Sequence, residues 1–258
     1  MSELAGVSVV VTRPQQHADP LVSLIETRGG KVIRFPTIEI GAPENPSALN
    51  ALIARLDDFD IAIFISRIAV DRAIAMIGTV RKWPEHILVA AIGPATTDAL
   101  RARGLTANVV PTSGIDSEAL LALPAMRRVA GRRIVIFRGV GGRALLGRVL
   151  ERRGALVEYG ECYRRVKPNV STTGWLRPWP QADIVTITSA EGLCNLIEVT
   201  QPADRSELFR LPLVVASERI AETAQHRGWQ GEILIAQGAN DEALVAAVQY
   251  WHCVRTGD

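Results

Sequence analysis

The strongest constraint on what this chain can fold into is that one pattern is written in it twice. Residues 134–154 open with four apolar, mostly β-branched side chains, Ile134 to Phe137, and pass through a glycine-rich turn. They then place Leu145, Leu146, Val149 and Leu150 at helical spacing until Gly154 stops the helix. Residues 9–29 repeat this strand, turn and helix: Val9 to Val11 precede Arg13, and Leu21, Leu24 and Ile25 precede Gly29. One offset, 125, relates Arg13 to Arg138, Leu21 to Leu146 and Gly29 to Gly154. Asp60 to Ser66 returns as Asp183 to Ser189 at an offset of 123. Gly93 to Gly104 matches Ser217 to Gly228, and Glu118 to Leu120 matches Glu242 to Leu244, both at 124. Blocks that stay in register along the whole chain read as two copies of one unit.

Composition bounds those copies. With 258 residues and 48% hydrophobic content, two domains of about 120 to 130 residues can each bury a core of their own. No apolar run approaches the ~18 residues of a membrane helix, and the start of the chain lacks a basic leader followed by an apolar core. A soluble, cytoplasmic protein with no membrane partner is expected. Cys162, Cys194 and Cys253 are odd in number and far apart, as reduced thiols would be, and His17, His86, His226 and His252 form no metal-binding pair. No metal site is expected. A net charge of +2 gives no field for nucleic acid. The distribution is uneven, with nine arginines against the single acid Glu151 between Arg127 and Arg153. Arginine's planar fork suits carboxylate or phosphate, although a solvated helix face also explains such a run.

The first copy reads as strands at Val7–Val11, Lys31–Phe35, Asp60–Ile65, Leu88–Ile92 and Ala107–Val110. The second has them near Arg133–Phe137, Leu156–Tyr159, Ile184–Thr188, Leu213–Ala216 and Ile233–Ile235. Short apolar strands separated by helical patterns are the mark of a doubly wound parallel α/β sheet. Val32 to Ile40 and Val157 to Val166 run past the expected ends of their strands, as linkers crossing between domains would. An exchange of the first strand-helix between copies and a plain tandem arrangement both fit.

Ligands of open parallel sheets bind beyond the carboxyl ends of the strands. Arg13, Ser66, Gly93, Thr112, Arg138, Ser189 and Ser217 sit there, most of them opening a helix whose free amides and dipole favour an anion. Thr96 lies in the first turn after Gly93-Pro94. The serines serve equally well as N-caps, each worth ~1 kcal/mol. No carboxylate pair and no Ser-His-Asp or Cys-His set stands out. Arginines, hydroxyls and amides without acid-base equipment suit a substrate that is rich in carboxylates and intrinsically reactive.

The segments Val10-Val11-Thr12-Arg13-Pro14, Phe64-Ile65-Ser66 with Ala69-Val70, and Ile92-Gly93-Pro94-Ala95-Thr96 resemble the uroporphyrinogen-III synthase family. So do Arg138-Gly139 with Gly142-Arg143, Tyr163, Thr188-Ser189, and Ser217-Glu218-Arg219-Ile220-Ala221, in the family's order along nearly the whole chain. The resemblance implies two flavodoxin-like domains, residues 1–37 with 167–258 and residues 41–163, joined by a two-stranded linker of 33–40 and 157–166. It thereby favours the exchange. It implies a cofactor-independent, cyclising hydro-lyase of tetrapyrrole and haem biosynthesis. Hydroxymethylbilane, a linear tetrapyrrole with eight carboxylates, would lose water and close to uroporphyrinogen III with its last ring inverted. A monomer is expected, with this small molecule as its partner. By the same resemblance Tyr163 is the candidate catalytic residue, helping the hydroxyl depart, or else an aromatic anchor of the linker. Arg13, Ser66, Thr96, Arg138, Gly139, Arg143, Ser189, Ser217 and Arg219 are the candidate substrate contacts. Glu218-Arg219-Ile220 departs from the Pro-Thr-Thr of some members, so Arg219 either meets a propionate or pairs with Glu218 or Glu222.

Two rival readings stand beside this one. Gly139-Val-Gly141-Gly142-Arg143-Ala144 fits the dinucleotide turn G-x-G-x-x-A after a strand, with Glu158 near the end of the next strand as the ribose ligand of an NAD(P)-dependent oxidoreductase. Against it, the duplicate turn Arg13-Pro14-Gln15-Gln16 has no glycine. A two-domain sensor closing on an anionic ligand without catalysis is the other.

Overall fold

Ile61 to Phe64 has all four side chains buried, which a strand achieves only when both faces of its sheet are covered. Ile184 to Ile187 meets the same condition, and the computed structural model describes residues 3–114, 116–142, 144–168, 179–238 and 240–256. The strands are β1 Ser8–Val11, β2 Lys31–Arg34, β3 Glu39–Gly41, β4 Ile61–Phe64, β5 Leu88–Ala91, β6 Arg133–Gly139, β7 Leu156–Val166, β8 Ile184–Ile187, β9 Leu213–Val215 and β10 Ile233–Ile235. The fold is mixed α/β with two sheets dominated by parallel pairing, in the orders β10-β9-β8-β1-β2 and β3-β7-β6-β4-β5.

The chain divides into two compact units, Met1–Glu39 with Val166–Asp258, and Ile40–Arg165. In the first, β1 pairs in parallel with both β2 and β8, and β9 with β8 and β10. Alternation along β1 serves two cores. Val9 and Val11 pack with Leu21, Ile25, Leu244 and Val248 on one face, and Val10 packs with Val185, Leu193, Leu196 and Ile220 on the other. In the second unit β6 lies between β4 and β7, with β5 beyond β4. Ile61, Ile63, Ile134 and Ile136 meet Leu146, Leu150, Leu120 and Met126 on one face. The stacked rings of Phe64 and Phe137, 4.9 Å apart, belong to the alternate positions.

Two expected strands differ from the fold. Ala107–Val110 contributes a single parallel bridge, Ala90 to Val109. Asn108 Oδ1 accepts the Val89 amide at 2.9 Å, so a side chain occupies a donor that a continuing ladder would have used. The stretch Val32–Ile40 is not one long strand either. Pro36 lacks an amide hydrogen, and β2 ends at Arg34 before β3 begins at Glu39. Its counterpart does run on: β7 spans 11 residues.

Candidate functional site

At the carboxyl end of β4, Ser66 takes an extended backbone and opens the helix Arg67–Val80. Its Oγ accepts the Ala69 amide at 3.1 Å, satisfying one of the helix's orphan donors. The same Oγ lies 3.3 Å from the hydroxyl of Tyr163, a residue only 3% exposed. Two features of β6 and β7 put the phenol there. The register between them slips by one residue, pairing Arg138 with Glu161 but Gly139 with Tyr163, so that Cys162 is passed over. The Val140 amide then donates to the Tyr163 carbonyl at 2.8 Å. At Gly139 a side chain is excluded outright. A Cβ there would lie 2.7 Å from Cε2 and Cζ of Tyr163 and 3.1 Å from its hydroxyl. Beside the phenol, the Cys162 thiol donates to the Arg138 carbonyl at 3.3 Å, and burial pushes its pKa up to about 12. Thr96 is buried in the first turn of the helix Pro94–Ala102, which follows β5.

Arg138 holds the turn that follows β6. Its Nε and Nη2 donate to Glu161 Oε1 at 3.2 and 2.8 Å, and Nη1 donates to the Gly142 carbonyl at 3.1 Å. The guanidinium also stacks 3.8 Å above the Tyr159 ring. Tyr159 in turn approaches Gly147 so closely that a Cβ there would sit 1.9 Å from its hydroxyl. Arg143 lies outside the described residues. The dinucleotide reading fails at Glu158. That carboxylate stands near the amino end of β7, opposite Val135, where Arg55 and Arg133 pair with it. A ribose ligand belongs at the carboxyl end.

The first unit has strand ends of its own. Ser189 caps the helix Ala190–Val199 by accepting the Gly192 amide at 3.0 Å. Ser217 stands at the N-cap position of the helix Glu218–His226 and makes no side-chain cap bond. Arg219, in the first turn of that helix, is exposed, and among the described residues it forms no ion pair with Glu218 or Glu222. Arg13 is ion-paired with Asp241, at the start of the helix Asp241–Thr256, both side chains being less than a fifth exposed. Around it the threonines interlock: Thr12 Oγ1 donates to the Thr186 carbonyl at 2.6 Å, and Thr186 Oγ1 to the Val10 carbonyl at 3.0 Å.

The second unit thus brings Ser66 and Gly139 each against Tyr163, with Arg138 immediately before the bulge. The sequence reading missed Glu161 and Asp241, the acids that hold two of the four candidate arginines, Arg138 and Arg13. Asp241 is 228 residues from Arg13, and no local pattern joins them. Glu161 falls opposite Arg138 through the register of β6 and β7, which no local pattern supplies. Among the described residues no group of three or more His, Cys, Asp or Glu side chains could hold a metal ion, and no helix is long and apolar enough to cross a membrane.

Two parallel α/β units with hydroxyl-capped helices at their strand ends define a class of two-unit α/β proteins. Residues 19–246 match the family described as uroporphyrinogen-III synthase HemD. The chain belongs to the uroporphyrinogen-III synthase family. It is 36% identical over 247 residues to the uroporphyrinogen-III synthase of Salmonella typhimurium strain LT2, covering 94% of this chain and 100% of that protein. Identity to the uroporphyrinogen-III synthase of Escherichia coli K12 is 34% with the same coverage. The crystal structure of uroporphyrinogen-III synthetase from Helicobacter pylori 26695 shares the fold, with a TM-score of 0.61 at 13% identity, over 95% of this chain and 99% of that one.

Proposed function

We propose that this chain is a uroporphyrinogen-III synthase of haem biosynthesis, a cyclising hydro-lyase that closes hydroxymethylbilane with loss of water and inversion of the last pyrrole ring. The observation that carries the reading is the likeness to the Salmonella synthase over the whole of that protein. The strand-end geometry is consistent with it. Tyr163 gives its phenolic proton to the departing hydroxyl, which leaves as water, and the substrate becomes an electrophilic azafulvenium cation. The substituted carbon of the last pyrrole attacks, a spiro intermediate opens and recloses, and the proton lost in closing restores the phenol. The uncatalysed closure gives the uninverted isomer, so the larger task is to hold the chain in the folded geometry that leads to inversion. The helix starts at Thr96 in one unit and at Ser189 and Ser217 in the other, the last followed by Arg219, offer amides and charge of the kind that suits carboxylates. Arg138 and Gly139 shape the turn beside Tyr163, and Arg13 and Arg143 complete the set of substrate contacts.

The finer architecture belongs to the same proposal. The orders β2-β1-β8-β9-β10 and β7-β6-β4-β5, the latter extended by the Val109 bridge, are alike strand for strand. That likeness supports two flavodoxin-like domains of duplicated origin, with β3 and β7 as the linker and the first strand-helix in the domain of the C-terminal half. The enzyme is read as a cytoplasmic monomer. Neither the dinucleotide reading, with Glu158 misplaced, nor a sensor without turnover finds support among relatives named as synthases.

The test is an isomer assay. Hydroxymethylbilane is generated in situ, the purified chain is added, and the oxidised products are separated into uroporphyrins I and III. Isomer III in catalytic excess is expected. Tyr163→Phe should lower kcat by about 10²- to 10⁴-fold with KM little changed, the range for losing a general acid. Isomer I alone from folded wild-type protein overturns the reading, and wild-type kcat in Tyr163→Phe removes the tyrosine from it.

A further inference from the structure

Ser66 has more to do than cap a helix. A serine hydroxyl carries one proton and two acceptor sites. At Ser66 one acceptor site is taken by the Ala69 amide at 3.1 Å, and the Tyr163 hydroxyl lies 3.3 Å away, with the Ser66 proton free to point at it. The phenol cannot swing elsewhere, because Gly139 lies against its ring and the residue is 3% exposed. If Tyr163 gives up its proton, a buried oxygen is left with negative charge, which is costly without a donor. The Arg138 guanidinium is directed instead to Glu161 and the Gly142 carbonyl. Among the described residues the donor within hydrogen-bond distance of the phenol is Ser66, whose oxygen is itself polarised by the first amides of the 14-residue helix Arg67–Val80.

We propose that Ser66 is a positioning residue that acts through Tyr163: its hydroxyl donates to the phenol oxygen and stabilises it as the leaving-group proton departs. The proposal rests on the reading of Tyr163 as the proton donor. It moves Ser66 from the carboxylate-binding set to the leaving-group step, and it gives the slipped register at Arg138 and Gly139 a purpose, the delivery of the phenol to a capped helix start.

A double-mutant cycle tests it. Ser66→Gly keeps an acceptable N-cap while deleting the hydroxyl. Ser66→Thr keeps both. In the isomer assay Ser66→Gly should lower kcat about 10- to 100-fold, as loss of a hydrogen bond to a charged oxygen does, with KM within about twofold. Ser66→Thr should restore most of it. In a Tyr163→Phe background the same Ser66→Gly change should have almost no effect, because the group it serves is gone. With only Tyr159, Tyr163 and Tyr250 in the chain, ¹³Cζ-tyrosine spectra assigned by Phe replacement should show the Tyr163 resonance moving in Ser66→Gly and the other two unmoved. An equal loss in both backgrounds, or wild-type kcat with an unmoved Tyr163 resonance, overturns the proposal. Wild-type kcat in Tyr163→Phe overturns instead the reading on which it rests.

Discussion

Ser66 and Ser189 occupy the same kind of place in different units. Each ends a strand with an extended backbone, φ −166° and ψ 158° at one and φ −150° and ψ 148° at the other. Each accepts the amide three residues on, at 3.1 and 3.0 Å. What surrounds them differs. Ser66 meets the phenol of Tyr163, brought in by an 11-residue strand with a slipped register. Beside Ser189 the chain has broken at Pro36, and Thr37 and Ile38 come up against Gly192, while Asn195 Nδ2 donates to the Thr37 carbonyl at 2.9 Å. A cap is therefore a platform, and the neighbouring strand decides whether chemistry stands on it.

Thiol reactivity sharpens that contrast most. Cys162 is buried against the Ala69 and Arg138 carbonyls, and its pKa is raised from 9.0 to about 12 by burial. Cys194, in the helix that Ser189 caps, is half-buried, and Cys253 is exposed. At pH 8 the thiolate population of Cys162 is about a thousandfold below that of an ordinary thiol. Ellman's reagent should modify Cys253 and Cys194 in the folded protein and reach Cys162 only in urea. The folded value lies above the unfolded one, so Cys162 contributes stability that is complete below about pH 9 and is lost as pH climbs toward 12. Wild type should lose more stability across that window than Cys162→Ala. Rapid labelling of Cys162 in folded protein would break the contrast.

Gly139→Ala comes next. The added Cβ would be driven to 2.7 Å from the Tyr163 ring, against atoms that can move only as a rigid plate. Displacing the phenol by several tenths of an ångström should lower kcat on the order of 10²-fold, and overpacking should cost about 1–3 kcal/mol in urea unfolding. Wild-type kcat in a destabilised Gly139→Ala would show that the position of Tyr163 does not matter.

The parts of this architecture that rest on local sequence were legible. Mostly apolar quartets such as Ile61–Phe64 and Ile184–Ile187 fall in buried parallel strands, and Ser66 and Ser189 open helices, because burial pattern and capping are short-range properties. What escaped was set at a distance or by a single side chain. Asn108 cut an expected strand to one bridge, and the one-residue slip that passes over Cys162 has no composition signal. The glycines after β6 suggested a nucleotide turn. Gly139 is small because a tyrosine ring lies on it, a reason that appears only when β7 is laid beside β6. Arg13 and Arg138 looked alike as anion ligands, yet each is held by an acid, Asp241 in one unit and Glu161 in the other, one of them supplied by a remote helix.

The smallest effect is expected at Gly192, on the quieter side of the comparison. Ala69 and Gly192 both donate the capping amide, and Ala69 is fully buried. A Cβ at Gly192 would lie 3.0 Å from Ser189 Oγ, 3.1 Å from Thr37 Oγ1 and 3.9 Å from Ile38 Cδ1. Gly to Ala within a helix favours folding by up to about 1 kcal/mol, whereas contacts this tight oppose it by about 1–3 kcal/mol. The second term should win narrowly. Gly192→Ala is expected to lower the urea midpoint, at unchanged m, by the equivalent of about 0.5–1 kcal/mol. A gain near the full 1 kcal/mol would mean that Thr37 yields freely and that this strand end is as open as the one at Ala69. A loss above ~2 kcal/mol would mean that Thr37 and Ile38 are fixed as firmly as Tyr163, and that the broken strand holds its side chains no less rigidly than the continuous one.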